Sequence, residues 1–209
     1  MYGCSYSLTR CGDCGHRSYV TLDAAVTCGL TCWASRGPSG LRPKHDPMRS
    51  SFDRRVVPDA VLSLLRACQR SVPCHLGGGA ALSGVHLAHR LSRDIDLFCH
   101  DPAEVRALTR DLPLVARDAG VTIAIVRDAG TFVRANVTAP GVTIELDIVH
   151  DGTRDIEPPP EPVEGIVVES FTDLRAAKLT CLLSRSEPRD LVDALFLDRA
   201  GFPPEGDMA

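Results

Sequence analysis

Residues 76–98 read LGGGAALSGVHLAHRLSRDIDLF. An apolar strand stops at three glycines, a helix of small residues follows, and a second strand then carries two carboxylates. Because residues two apart on a strand point to the same side of a sheet, Asp94 and Asp96 are predicted to project from one face. Ile95 and Leu97 have the opposite direction and are predicted to pack into the core.

The aspartates are suited to bind a cation, and the glycines are suited to bind a phosphate group. Neighbouring carboxylates repel each other, and proteins tolerate this repulsion where a cation lies between them. Gly77, Gly78 and Gly79 place backbone N–H groups at a helix start, where phosphate groups bind. The turn is not a Walker A loop, because no Gly-Lys-Ser/Thr follows it. Acids that hold Mg²⁺ or Mn²⁺ beside a triphosphate-binding turn are the requirements of nucleotidyl transfer.

A third metal-binding carboxylate is expected from a neighbouring strand. Residues 142–149 alternate aliphatic and polar side chains, which places Glu145 and Asp147 on the face opposite the aliphatic ones. Asp147 is the preferred third ligand, and Glu145 competes for the role. The alternative for either residue is an ordinary surface acid.

Residues 76–98 resemble the first motif of the polymerase-beta-type nucleotidyltransferase superfamily, a glycine pair, a helix and Asp-x-Asp. They are more similar to the AbiEii/AbiGii toxin family, with roughly Gly-Gly-Thr-Ala-Leu and then His-Arg-x-Ser-x-Asp-hydrophobe-Asp-Leu-Phe. Here the second run is HRLSRDIDLF at 89–98, and Ala80 replaces the usual threonine. The resemblance covers about residues 56–200. It implies an enzyme that transfers NMP from an NTP to a hydroxyl acceptor and releases pyrophosphate.

The family resemblance also implies roles for other residues. Ser92 is expected to contact phosphate or to fix the aspartate strand, and Arg90 to pair with phosphate or to brace the acids. Lys178 lies in an otherwise apolar helix, where it either partners the triphosphate as a point charge or extends to solvent. The family's lysine in this helix favours the first interpretation.

An Arg-Asp-x-x-Asp motif at Arg189, Asp190 and Asp193 completes the resemblance. It implies that Arg189 binds the nucleotide and that Asp190 acts as a base or orienting group. A helix N-terminal acid is the alternative for Asp190, since helix dipoles favour acids there. Relatives usually continue with more helices beyond Gly201, so weaker acceptor binding is expected here.

Periodicity along the chain predicts an α+β fold, a minimal nucleotidyltransferase core of mixed sheet and flanking helices plus a short C-terminal helical segment. The core is assigned to residues 56–157, a proline-rich connector to 158–165, and a C-terminal strand and helices to 166–202. Predicted helices cover 58–70, 80–89, 101–118, 170–184 and 188–200. Predicted strands cover 74–76, 94–99, 121–126, 131–138, 142–149 and 166–168.

Residues 1–50 differ from the rest of the chain. They are rich in glycine, serine and cysteine without a sustained helical or strand period, which predicts a disordered or non-native extension. Translation from Met48 is an alternative explanation. A further hypothesis is a zinc-binding adaptor, with a knuckle-like cysteine pair and two later thiolates as ligands. Those four residues are Cys11, Cys14, Cys28 and Cys32.

Composition limits the location and the partners. The 209 residues carry a formal net charge of −4, which argues against a general nucleic-acid coat but allows a local basic patch. Apolar runs stay below the ~18 residues of a membrane span, and a secretory signal is lacking, so a cytoplasmic location without membrane contact is expected. The nine cysteines are odd in number and lie mostly in apolar segments, which predicts reduced thiols.

The sequence therefore predicts a metal-dependent nucleotidyltransferase that uses an NTP. The resemblance further suggests a type IV toxin–antitoxin (abortive infection) toxin, with RNA, such as a tRNA 3′ end, as acceptor and an antitoxin as partner. One alternative is an antibiotic-modifying enzyme of the same core that acts on a small molecule. Another is a nucleotide-binding or protein-binding module that has lost catalysis.

Overall fold

The computed structural model describes residues 8–10, 17–19, 49–184 and 187–202. Near the N-terminus, strands β1 (Leu8–Arg10) and β2 (Arg17–Tyr19) pair antiparallel. The sequence pattern did not predict this short pairing. Met48 and the four cysteines of the zinc hypothesis lie outside the described residues, so that hypothesis stays a prediction.

A five-stranded mixed sheet forms the centre of the protein. In spatial order its strands are β3 (His75–Gly77), β4 (Asp94–Cys99), β7 (Val142–His150), β6 (Phe132–Ala139) and β5 (Thr122–Asp128). Strands β4 and β7 are parallel, and the other neighbours are antiparallel. The predicted strands agree with these five to within about two residues, and the predicted α+β class is confirmed.

Helices cover one face of the sheet and continue beyond it. They are α1 (Asp59–Ser71), the short α2 (Gly78–Ala81), α3 (Pro102–Asp118), α4 (Phe171–Ser184) and α5 (Pro188–Arg199). The main core consists of the apolar sides of α1 and α3 together with the inward residues of the sheet. At the start of α3, Asp101 accepts from the N–H of Ala103 and Glu104 accepts from that of Asp101, which forms a capping box and begins the helix where the sequence predicts it.

The predicted helix at 80–89 is wrong at its C-terminal end. Helix α2 continues only as a π-helical turn, Leu82–His86, in which the N–H of Leu87 donates to the C=O of Leu82 at 2.8 Å. Ala88 then adopts a left-handed φ of 48°, which ends the helical path. As a result His89 leaves the helix and is directed toward α5 instead of continuing along α2.

The predicted strand at 166–168 is wrong as a separate strand. The chain instead makes isolated pairings, Val163 with Ile166 and Val168 with Leu76, along the outer edge of β3. The N–H of Leu76 donates to Val167 and its C=O accepts from Glu169, both at 2.9 Å. Two side chain-to-backbone bonds with α1 hold this segment in place, so it covers β3 without becoming a regular sixth strand.

Residues 170–173 read SFTD, which has the spacing of a capping box, but α4 is capped in a different way. Ser170 Oγ accepts from the N–H of Asp173 at 3.1 Å, as a capping box requires. The Asp173 carboxylate, however, accepts from the N–H groups of Ile156 and Glu157 at 2.7 and 3.2 Å. This acid therefore fixes the segment just before the connector to α4 instead of closing the box.

Two further observations concern the described residues. Cys68, Cys74, Cys99 and Cys181 are free thiols, as the sequence predicts for these four. No helix in the described part of the chain is both long and apolar enough to cross a membrane.

Candidate active site

Strand register brings the predicted acids together on one face. Asp96 of β4 is paired with Gly77 of β3 on one side and with Asp147 of β7 on the other. Asp94 is paired in the same way with Glu145. Residues paired across neighbouring strands share a face of the sheet, so the four carboxylates form one group. We call Asp94, Asp96, Glu145 and Asp147 the acid face.

The glycine turn closes directly over the acid face. Gly78 has a φ of +61°, and a Cβ atom there would lie 2.1 Å from Oδ2 of Asp96. A Cβ at Gly79 would lie 2.7 Å from Nη2 of Arg90 and 2.9 Å from Oγ of Ser92. Glycine at Gly78 allows the backbone to approach Asp96 this closely, and glycine at Gly79 leaves room for Arg90 and Ser92 beside it. The turn and the Asp-x-Asp strand are thus one structural unit.

Asp94 is held by two neighbours. It accepts hydrogen bonds from Oγ of Ser92 at 2.8 Å and from Nη1 of Arg189 at 2.7 Å. Burial opposes ionisation, but the Ser92 hydrogen bond and the Arg189 charge outweigh it and lower the pKa of Asp94. Ser92 therefore fixes the aspartate strand in this structure, as one of its two predicted roles requires.

Asp147 is held by a guanidinium that the sequence analysis did not identify. Arg134 of β6, directly across from Asp147, donates to it from Nε at 2.9 Å and from Nη2 at 2.7 Å. The same guanidinium lies 3.2 Å from the Glu145 carboxylate. Two parallel bonds orient the Asp147 carboxylate strongly. The alternation of side chains on β6 and β7 places Arg134 and Asp147 on the same face of the sheet. The sequence does not show that they are direct neighbours, because that depends on the register of the two strands.

Asp96 is the acid with the least compensation. Desolvation, followed by the charges of Asp94 and Asp147, raises its pKa to about 6. Lys178 and Arg189 act in the opposite direction from a distance and do not cancel this effect. A carboxylate in this condition gains most from a nearby cation, because a cation removes both the repulsion and the cost of burial.

The acid face fits a divalent metal by its chemistry. Carboxylate oxygens are the ligands that Mg²⁺ prefers, and burial followed by the charges of Asp94 and Asp147 raises the pKa of Asp96. Within the described ranges, no three His, Cys, Asp or Glu side chains are close enough as they stand to hold an ion. Arg189 and Arg134 occupy Asp94 and Asp147, so metal binding requires these carboxylates to turn from their guanidinium partners.

A second group of charges lies beside the acid face, deep between the segment after α2 and the two C-terminal helices. The fully buried carboxylate of Asp193 lies 2.6 Å from His89 Nε2, 2.6 Å from Arg90 Nε and 2.9 Å from Lys178 Nζ. Asp190, also fully buried, lies 3.8 Å from Lys178 Nζ. We call these five residues the charge cluster.

Within the charge cluster, the negative charge of Asp193 is balanced by the nitrogen-bearing side chains around it. Burial alone would raise the pKa of Asp193, but hydrogen bonds from His89 and Arg90 and the charge of Lys178 hold it well below its usual range. Arg90 contributes a second bond, from Nη2 to Oδ2 of Asp193 at 3.0 Å. The cluster therefore joins the end of the first motif to the lysine helix and to the Arg-Asp-x-x-Asp motif.

The predicted nucleotide-binding cations thus have internal partners. Arg90 and Lys178 are directed to Asp193, and Arg189 is directed to Asp94. Arg189 is the most accessible of the three, with 40% of its side chain exposed against 7% for Lys178. Asp190 faces Lys178 and not solvent. The sequence indicates Asp193 only as part of a motif, because two of its three partners, His89 and Arg90, are about a hundred residues away.

The mixed sheet, the glycine turn and the strand-borne aspartates define the class of the protein as a nucleotidyltransferase. The family model described as nucleotidyl transferase AbiEii toxin, type IV TA system, matches residues 63–209. The chain belongs to this family of nucleotidyltransferase toxins. The resemblance predicted from the glycine and Asp-x-Asp motif is confirmed.

The chain is similar to solved structures at low sequence identity, and one of them, MenT4, supports the fold. MenT4, the nucleotidyltransferase toxin Rv2826c from Mycobacterium tuberculosis H37Rv, is 19% identical with a TM-score of 0.51, over 66% of this chain and 58% of that one. JHP933 from Helicobacter pylori is 23% identical with a TM-score of 0.47, over 69% of this chain and 68% of that one. This chain therefore matches only part of the length of each. A search of curated proteins found no match.

Proposed function

We propose that this toxin-family nucleotidyltransferase depends on a divalent metal and transfers NMP from an NTP to a hydroxyl group of RNA, with a tRNA 3′ end as the first acceptor to test. The observation that carries the proposal is the register of Gly77, Asp96 and Asp147 on three adjacent strands. It places a close-approach backbone turn beside carboxylates that lack full compensation.

In this proposal Asp94, Asp96 and Asp147 hold Mg²⁺ or Mn²⁺, and Glu145 is the reserve ligand. Bound metal would neutralise charge that develops on the attacking and leaving oxygens. The protein's own contribution is to orient these acids, which Ser92 does for Asp94 through a 2.8 Å hydrogen bond. Asp96, with a pKa of about 6, is already largely ionised near pH 7, and a bound cation would keep it ionised at lower pH as well.

The triphosphate would be received by the backbone of Gly77, Gly78 and Gly79, with Arg189 as the mobile cation. Arg189 is partly exposed at the edge of the acid face, so it can leave Asp94 for a phosphate oxygen when metal takes the carboxylate. Arg189 has a negatively charged partner in both positions, Asp94 before the exchange and a phosphate oxygen after it. This exchange would make nucleotide and metal binding depend on each other.

Arg90 and Lys178 would support the nucleotide site by holding the first motif against the C-terminal helices, because both remain bonded to Asp193. Asp190 then serves as an orienting group for Lys178, at 3.8 Å, which develops one of its two expected roles.

The biological setting follows from the substrates. NTP and tRNA are cytoplasmic, so we assign the activity to the cytoplasm, and the type IV toxin–antitoxin description of the family supports an antitoxin as partner. The experiment is to incubate the full chain with each labelled NTP, MgCl₂, and either total tRNA or an aminoglycoside panel. Asp96→Asn serves as the isosteric control, and a matched reaction contains EDTA.

Label on tRNA that disappears with EDTA and with Asp96→Asn would support the proposal. Label on an aminoglycoside would replace it with small-molecule modification. Metal-dependent NTP binding without transfer to either acceptor would indicate a binding module. Transfer of undiminished rate by Asp96→Asn would remove the acid face from the reaction.

A further inference from the structure

Glu169 contacts the glycine turn, although no motif includes it. Its backbone N–H donates to the C=O of Leu76 at 2.9 Å, just before the turn. Its carboxyl accepts a hydrogen bond from the backbone N–H of Gly78, within the turn. One residue thereby binds the chain on both sides of Gly77, and the Gly78 N–H has its partner inside the protein.

The contact is close enough to exclude a side chain from the turn. A Cβ atom at Gly77 would lie 2.4 Å from Oε2 of Glu169 and 2.6 Å from the ring of Phe98. The next residue, Gly78, is limited in the same way by Asp96 on the other side. The turn is therefore held between Glu169 and the acid face, and a shift of Glu169 would release it from one side.

The surroundings of Glu169 explain how an acid can lie beside a phosphate site. Desolvation, and then the charge of Asp173 on α4, raises the pKa of Glu169 to about 8, with Asp151 and Asp155 adding to the effect. The carboxyl is therefore mostly protonated at neutral pH. A protonated carboxyl still accepts the Gly78 hydrogen bond through its carbonyl oxygen, and it does not repel a triphosphate.

We infer that Glu169 is a positioning residue for nucleotide transfer, which acts by clamping the Gly77–Gly78 turn against Asp96 through the Gly78 N–H. Its effect on catalysis rests on the proposed function. Its effect on the turn does not, because the contact belongs to the protein without ligand. The residue is not catalytic, since it reaches the reaction only through the turn.

The experiment compares Glu169→Gln with Glu169→Ala in the full chain. Glutamine keeps a carbonyl oxygen for the Gly78 N–H, and alanine removes it. Glu161→Ala, which removes an exposed carboxyl of the connector, is the control for a glutamate-to-alanine change away from the turn. Two readouts are measured for each: hydrogen exchange of the Gly78 amide without ligand, and KM for NTP separately from kcat, with the acceptor identified in the labelling assay.

In Glu169→Ala we expect Gly78 exchange to accelerate about tenfold or more, and KM for NTP to rise about tenfold with kcat changed far less. Glu169→Gln and Glu161→Ala should match the wild type in both readouts. Unchanged exchange in Glu169→Ala would overturn the inference. So would a lower KM, which would show that Glu169 competes with phosphate, or a glutamine variant as defective as alanine. Absence of transfer in every protein, with the exchange result intact, would instead remove the proposed function.

Discussion

The acid face and the charge cluster lie side by side, but they differ in how many positive groups surround each carboxylate. The acid face has four carboxylates and two direct guanidinium partners, Arg134 and Arg189. In the charge cluster, a single carboxylate, that of Asp193, has three nitrogen-bearing partners within 3 Å. Accordingly the pKa of Asp96 is raised to about 6, whereas the pKa of Asp193 is strongly lowered.

The difference indicates that the acid face is suited to bind a cation, whereas the charges of the charge cluster are already balanced within the protein. A carboxylate with a raised pKa is destabilised by its surroundings and gains free energy when a cation arrives. A carboxylate with a lowered pKa is already stabilised in its ionised form by positive groups of the protein, so it gains less from an added cation. We therefore expect substitutions in the charge cluster to act first on folding, and substitutions in the acid face to act first on metal binding and transfer.

The largest expected effect is on stability in Asp193→Asn. The substitution leaves Lys178 and Arg90 buried beside a neutral amide, and uncompensated buried charges of this kind cost about 3–5 kcal/mol. Urea unfolding followed by circular dichroism measures the change in the free energy of unfolding. Asp198→Asn, on the same helix but exposed, is the matched control and should stay within about 0.5 kcal/mol.

The pH dependence of the same variant provides a second check. Because the folded-state pKa of Asp193 is lowered, its stabilisation is present above the unfolded pKa of about 4 and is lost as pH falls below it. The stability difference between wild type and Asp193→Asn should therefore shrink in acid. A difference below about 1 kcal/mol at pH 7 would show that the cluster does not stabilise the fold.

A smaller effect of opposite sign is expected for Asp96→Asn without metal. A folded-state pKa of about 6, raised from the ordinary value of 3.8, means that wild-type stability declines as pH rises between these values. Asparagine does not ionise, so at pH 7.5 in EDTA the variant should be more stable by on the order of 2 kcal/mol, and the gain should vanish near pH 4. Thermal unfolding at both pH values measures it, and a loss of stability at pH 7.5 would contradict the uncompensated state of the acid face.

The two regions also differ in how far the sequence predicts them. The Asp94 and Asp96 pair and the glycine turn are local features, since strand period and a glycine run place them within about twenty residues. The Asp147 assignment needed only the alternation of one strand. In each case short-range geometry determines the position, and the structure places these residues together.

The charge cluster could not be predicted in the same way. Its bond between Arg90 and Asp193 spans 103 residues, and Arg90 is free to reach α5 only because the helix after Gly79 ends at the π turn. The propensity signal for that early end is weak, because Gly84 disfavours a helix interior by about 1 kcal/mol while the leucines and alanines around it favour one. Arg134 was missed for a related reason, since its contact with Asp147 depends on the register of β6 against β7.

The smallest expected effect on stability is that of Arg189→Ala, which tests whether the acid face is held ready for a cation. Its bond to Asp94 joins a side chain that is 40% exposed to one that is 24% exposed, and such pairs contribute up to about 1 kcal/mol to folding. Removing Arg189 also frees Asp94, so Mg²⁺ measured by calorimetric titration without nucleotide should bind roughly two- to fivefold tighter, while KM for NTP rises. Arg106→Ala on α3 removes an equal charge elsewhere and should change neither quantity. If Arg189→Ala weakened Mg²⁺ binding, the guanidinium would support the metal site instead of competing with the metal for Asp94. The proposed difference between the acid face and the charge cluster would then not hold for Asp94.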